Sequence, residues 1–231
     1  MPVLRVMSYN VRSLRDDVGA VDRVIRHAEA DVVCVQEAPR FLGWRRKCAH
    51  LARDSGLVIV SGGRGAAANM LLVRAAVNVD SARSVLFTRD RGLHQRGVAL
   101  AAIGWAGGRV VVAGTHLDGY PEPRLRHVGE LFAAIDAFAD PGVPTVLAGD
   151  FNDDPGSEVW QALTRLGADA FAAAGAGHGF TLNVTDPTRR IDAIFAGPGV
   201  RVRSAWIIDS QDVRVASDHR PVLADLEIPV A

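Results

Sequence analysis

The chain has 231 residues, of which 48% are hydrophobic and 23% charged. That is an ordinary globular balance, and it excludes a disordered chain, a collagen-like chain and a disulfide-stapled miniprotein. Lys plus Arg and Asp plus Glu each number 26, so the formal net charge is zero and no global field argues for a nucleic-acid partner. There is no internal repeat, low-complexity linker or charge block, which predicts a single domain over 1–231. The start, MPVLRVMSYNVRS, lacks an apolar signal-peptide core. The longest nearly apolar stretch, Val98 to Gly108, falls short of the roughly 18–20 residues that span a bilayer. A cytoplasmic monomer without membrane insertion is the expectation.

In chain order, LRVMSYNV (4–11) is β-rich, and Val18 to Ala30 places Val21, Val24, Ile25 and Ala28 at helical spacing. DVVCVQ (31–36) is a continuous apolar run, the mark of a strand buried on both faces. Cys34 reads there as a small hydrophobe, and Cys34 and Cys48 fit no metal spacing. A second helix is predicted over 39–54. Strands are predicted at 57–61, 68–74, 83–88, 95–105 and 109–115, with the turn at 106–108 making a hairpin of the last two. Leu125 to Ala139 carries the clearest apolar helical stripe. PTVLAG (144–149) is another buried strand. Pro155 and Ser157 open a helix that runs to Leu166 and stops at Gly167. Strands follow at 190–195, 200–208 and 221–228. Strand pairs beside strand–helix alternation suggest an α/β (α+β) chain of mixed sheets covered by helices. A four-layer sandwich fits, with two mixed sheets face to face and helices outside; periodicity alone does not separate it from a doubly wound sheet.

The polar residues at strand ends carry the functional signal. They are Asn10, Glu37, His116 with Asp118, Asp150 with Asn152, Asp192, and Asp218 with His219. Each one alone reads as a turn former, a helix cap or a structural histidine. Together they are harder to set aside, because open α/β sheets bind ligands beyond their strand ends. If those ends converge, Glu37, Asp150, Asp192 and Asp218 share one rim and repel by about a kilocalorie per mole per pair or more. Such a rim calls for a divalent cation, cationic partners or protonation. The candidate ligands Asn10, Glu37 and Asp218 offer only oxygen, which selects Mg²⁺ or Mn²⁺ over zinc. The two histidines are then free to meet substrate, which suits hydrolysis of a phosphate ester.

At SYNVR (8–12), VQE (35–37), GTHLD (114–118), GDFND (149–153), RIDAIF (190–195) and SDHRPV (217–222) the sequence resembles the endonuclease/exonuclease/phosphatase superfamily, with its deoxyribonuclease-I-like fold. The motifs come in the family's order and run over nearly the whole chain. The resemblance implies a two-sheet sandwich and Mg²⁺-dependent cleavage of phosphoester bonds. It places Asn10 and Glu37 at metal-binding positions, with Asp218 as a further ligand. Asp150 matches the position that orients or deprotonates the attacking water, and Asn152 the one that holds phosphate and nucleophile. Asp192 and His219 match a paired Asp–His in which the carboxylate fixes the imidazole tautomer. His116 matches a phosphate contact or leaving-group acid. Asp118 and Arg96, the latter in QRGVALA, are candidate substrate contacts or structural residues.

GTHLD departs from the tyrosine-containing strand of bacterial abasic-site endonucleases, and GDFNDD from the GDLNYR-like segment of inositol-polyphosphate phosphatases. A dinuclear metallophosphoesterase is disfavoured because its other histidine motifs are missing. A non-catalytic binding module on the same fold is the alternative. Arg45, Arg46, Arg89, Arg91, Arg189 and Arg190 are available to form one basic patch, although charges paired on the surface are the plainer reading. A phosphoester substrate that is small or flexible, or a single strand, is therefore expected over long duplex DNA.

Overall fold

The computed structural model describes residues 3–230. Its strands, in chain order, are β1 (Val3–Asn10), β2 (Val32–Gln36), β3 (Val58–Gly63), β4 (Asn69–Val73), β5 (Asn78–Leu86), β6 (Gly97–Trp105), β7 (Gly108–His116), β8 (Thr145–Asp150), β9 (Ala168–Asp169), β10 (Asp192–Ala196), β11 (Arg201–Ile207) and β12 (Val222–Glu227). The helices are α1 (Val18–Ala28), α2 (Trp44–Asp54), α3 (Pro121–Asp136), α4 (Glu158–Leu163), α5 (Ala170–Ala174) and α6 (Gln211–Ala216).

The strands form two six-stranded sheets, ordered β11–β12–β1–β2–β4–β3 and β5–β6–β7–β8–β10–β9. Each is antiparallel except for one central parallel pair, β1 with β2 and β7 with β8. Strand alternation sorts the side chains into layers. Leu4 and Val6 of β1, Val110 and Val112 of β7, and Val146 and Ala148 of β8 point between the sheets. Met7 and Tyr9 of β1 face outward against α1, α2 and α6. Ala113 of β7 and Leu147 of β8 face outward against α3 and α4. The four-layer sandwich expected from the sequence is the observed architecture.

The two sheets lie close where their residues are small. A Cβ on Gly114 would sit 3.0 Å from Leu71 Cδ2 and 3.4 Å from Cys34 Cβ, so β7 has no room for a side chain there. The sheets are thereby drawn together one inward position before His116, at the end of the same strand.

Several boundaries differ from the sequence reading. α3 starts at Pro121 rather than Leu125, because two prolines in the first turn occupy positions whose N–H groups have no helical partner. β5 begins at Asn78, five residues early, and is exposed along most of its length, which hides its alternation. α5 and α6 were not expected. Both are short and set by caps: Asp169 accepts from Phe171 and Ala172 N–H, and Ser210 from Val213 N–H.

Candidate active site

The last inward-facing positions of the central strands are polar. Continuing the alternation of β1 past Leu4 and Val6 gives Ser8 and Asn10; β8 after Val146 and Ala148 gives Asp150. In one sheet His116, Asp150 and Asp192 stand side by side, since His116 is opposite Asp150 and Asp150 is opposite Asp192 in the strand registers. In the other sheet Asn10 lies opposite Gln36, with Glu37 one residue beyond. His219 arrives from the segment leading into β12. The centre is thus the polar end of the core between the sheets.

Asp150 is 1% exposed and surrounded by polar groups. Asn10 Nδ2 donates to its Oδ2 at 2.9 Å, and the Asn152 N–H donates to its Oδ1 at 3.0 Å. His116 Nε2 and His219 Nε2 lie 3.3 and 3.8 Å from Oδ2. Asn152 Nδ2 donates to Leu117 O and, at 2.9 Å, to His116 Nε2, which places the lone pair of His116 on that nitrogen. Both Asn152 and Glu37 hold left-handed backbone, with φ of 53° and 51°. Asparagine tolerates this conformation; for glutamate it costs about 1 kcal/mol or more, a strain typical of functional positions.

The two imidazoles have opposite character. Burial drives His116 down to about 3, with Arg96, His219 and Arg40 adding to the effect of burial and Asp150 opposing it, so the ring is neutral. Burial also acts against a charge on His219. The carboxylates of Asp192 and Asp150 and the 2.8 Å hydrogen bond from Nδ1 to Asp192 Oδ2 outweigh it and raise the ring to about 10. His219 is therefore an imidazolium whose Nδ1–H is fixed on Asp192.

Asp150, Asp192 and His219 offer ligand atoms within 4.8 Å of one another. The 2.8 Å bond between His219 Nδ1 and Asp192 Oδ2 makes that trio a carboxylate–imidazole unit. Oxygen donors suited to a hard divalent ion are also present. Glu37 Oε1 is 3.4 Å from Asn10 Nδ2, and Asp192 Oδ1 is buried without a hydrogen-bond partner. These oxygens fit such an ion. Asn10 Oδ1 already accepts from the Arg12 N–H at 3.0 Å, so Asn10 ties the carboxylates together through Nδ2. Asp218 sits apart, half-exposed, with Arg12 Nε 3.3 Å from its Oδ2. Arg96 lies 3.5 Å from Asp118 in a nearly buried pair. The charges of Asp150 and Glu37 also act on Arg96, which places it beside the centre.

Three residues here escaped the sequence reading. Ser217 donates Oγ–H to Asn10 O at 2.7 Å and accepts from the His219 N–H, joining β1 to the His219 segment. It opens the SDHRPV motif and was within reach of that signal. Arg12 follows Asn10 by two residues, inside the SYNVR motif. Buried Arg124 of α3 donates to the carbonyls of Asn152, Asp118 and Gly119 and lies 3.2 Å from Asp153; a lone arginine on an amphipathic helix carries no such signal. Of the basic residues, Arg189 pairs with Asp154, and Arg190 with Asp169 while lying over the Trp160 ring.

Fold and centre together define a two-sheet α/β sandwich with a carboxylate–imidazole cluster at the carboxyl ends of its parallel strands. The same architecture occurs in an endonuclease/exonuclease/phosphatase from Bacteroides vulgatus, 22% identical, with a TM-score of 0.84 over 99% of this chain and 100% of that one. It recurs in the mannosyl-6-phosphatase of Bacteroides thetaiotaomicron, 16% identical, TM-score 0.83, 97% and 100% covered. D. rerio TDP2 in complex with a single-strand DNA product is 18% identical, TM-score 0.77, 97% and 99% covered. No curated protein sequence gives a significant match. The model of the endonuclease/exonuclease/phosphatase family matches residues 7–219, and the chain belongs to that family.

Proposed function

We propose that this chain is a divalent-metal-dependent hydrolase of phosphoester bonds acting on a small or flexible substrate. The observation that carries the reading is the setting of Asp150, a buried carboxylate beside a neutral imidazole, a cationic imidazole, the Asn10 carboxamide and the Asn152 backbone N–H. Two structural relatives support the bond type by their names, one a phosphatase and the other bound to a DNA product.

Asp150 takes the proton of the attacking water, in the role of general base. His219, cationic and held by Asp192, faces the phosphoryl group and stabilises the charge that builds in the transition state. Neutral His116 holds the Asn152 amide, which positions phosphate and water. A proton for the leaving oxygen comes from His219 rather than from His116, whose Nε2 carries a lone pair. Glu37, with the second lone pair of the Asn10 amide oxygen, would hold Mg²⁺ or Mn²⁺, while Asp218 stays on Arg12. When bound, such an ion polarises a phosphoryl oxygen and neutralises the carboxylates.

The test is turnover of bis(p-nitrophenyl) phosphate, p-nitrophenyl phosphate and short oligonucleotides by metal-stripped protein. Hydrolysis of at least one is expected on adding Mg²⁺ or Mn²⁺, with loss in EDTA. Folded protein that hydrolyses none of them with either ion would turn the reading to a binding module.

A further inference from the structure

Beside the catalytic rim lies a cavity of about 520 Å³ whose walls include Arg40, Phe41, Arg64, Leu86, Arg89 and His94. The chain places it next to the centre. Arg40 is three residues past Glu37, and Gln95, another wall residue, directly precedes Arg96. The Ala38 N–H donates to Ala68 O at 2.8 Å, tying the Glu37 loop to the cavity wall. Arg40 Nη2 meets His94 Nδ1 at 3.2 Å and closes the loop after β2 onto the loop before β6. The charge of Arg40 is felt at His116.

The cavity is charged on one side only. No acidic residue is among its wall residues. Elsewhere most arginines of this neutral chain face a carboxylate, as Arg23 faces Asp212, Arg109 faces Asp80 and Arg126 faces Asp90. Among the described residues, Arg40, Arg64 and Arg89 have no such partner, and neither have Arg45, Arg46 and Arg91 on the same segments. Guanidinium groups gathered without acids repel one another, and an anion relieves that repulsion. Their planar forks match phosphate oxygens two at a time. Phe41, 69% exposed, adds a flat apolar face within the same walls.

We propose that this cavity is a second-phosphate subsite, which holds a phosphate of the substrate other than the one that reacts at Asp150. The proposal rests on the phosphoesterase reading and narrows the substrate class to compounds with at least two phosphates. The second phosphate belongs either to a small bisphosphate or to the next nucleotide of a single strand.

The test is equilibrium titration with calcium in place of magnesium to block turnover. The probes are thymidine 3′,5′-bisphosphate, fluorescent hexathymidylate and, as the one-phosphate control, thymidine 5′-monophosphate. Arg64 and Arg89 are both exposed, so the Arg64→Ala/Arg89→Ala double variant is expected to fold, and an unchanged melting temperature checks this. The lysine double variant keeps the charge and provides a second comparison.

The alanine pair is expected to weaken a two-phosphate probe at least ~10-fold and the monophosphate less than ~2-fold, with the lysine pair between wild type and alanine. Loss confined to the bisphosphate assigns a small molecule, and loss confined to the hexamer assigns a strand. Unchanged binding of both, or equal loss for the monophosphate, overturns the subsite. Because the titrations need no turnover, sensitivity without hydrolysis by any metal-loaded form overturns the enzymatic reading alone. Hydrolysis alongside insensitive binding overturns the subsite alone.

Discussion

Asn10, the last residue of β1, donates Nδ2–H to Oδ2 of Asp150, the last residue of β8, across 2.9 Å and 140 positions of sequence. The bond joins the two sheets at the catalytic rim. The same nitrogen also reaches Glu37, and the amide oxygen accepts from Arg12, so each polar atom of the side chain is engaged.

Asn10→Asp replaces that bridge with a third carboxylate against Asp150 and Glu37. Like charges at such distances cost about 1 kcal/mol or more, and a divalent ion offsets them. The variant should melt below wild type in EDTA and recover part of the difference in millimolar Mg²⁺, as followed by thermal unfolding in both buffers. An equal deficit in the two buffers would separate Asn10 from the ion site.

Asp150→Asn and His219→Ala should each lose at least ~10²-fold in kcat, the usual worth of a general base or a fixed transition-state charge. The double variant should be little worse than either single, because groups that act as a unit do not add. Steady-state rates of the three folded variants check this. Near wild-type turnover in either single would remove the role assigned to that residue.

Arg124 lies beneath the turn that carries Asn152 and has only 8% of its side chain exposed. Arg124→Met leaves three carbonyls without their donor and Asp153 without its cation. The expected cost is about 3 kcal/mol in denaturant unfolding, in the range for breaking a buried charged contact. A fall in kcat larger than the rise in KM should accompany it, since the turn positions Asn152. A loss below about 1 kcal/mol would mean that solvent replaces the arginine.

Asp22 in α1 has a buried Oδ1 with no partner. Burial, with the nearby charge of Asp54, raises its carboxyl to about 6 against the opposing pull of Arg26 and Arg23. The native chain thus keeps a proton that the unfolded chain releases near pH 4. Stability attributable to this group falls as pH rises from about 4 to 6 and stays low above that. Asp22→Asn should match wild type below pH 4 and gain on it through that window, by about 1 kcal/mol after allowance for solvent screening. Melting curves at pH 4, 5, 6 and 8 test this; a constant offset would refute it.

Much of the site could be read before any coordinates, because Asp150, Asn152, Asp192 and His219 stand at strand ends where polarity breaks an apolar run. The strands between them were legible by alternation or by continuous hydrophobicity. What stayed hidden is local or relational. Six residues of α6 fall short of two helical turns and show no period, so only the Ser210 cap marks that helix. The opposite charge states of His116 and His219 depend on which carboxylate each ring faces. That Arg64 and Arg89 lack acids while Arg189 and Arg190 have them is a property of space; in sequence the four look alike.

His116, Asp150 and Asp192 occupy one transverse row of a sheet, and this makes the chain unevenly tolerant of length changes. Extra residues in the connections leave the row intact, whatever they add at the rim. Removing a single residue from the middle of β8 turns one half of that strand over. If the register holds on the Thr145 side, Asp150 rotates away from Asn10 and toward the helices. In a library of single-codon deletions, inactive clones that still fold should therefore be rare within β7, β8 and β10, where losing the site and losing the core are the same event.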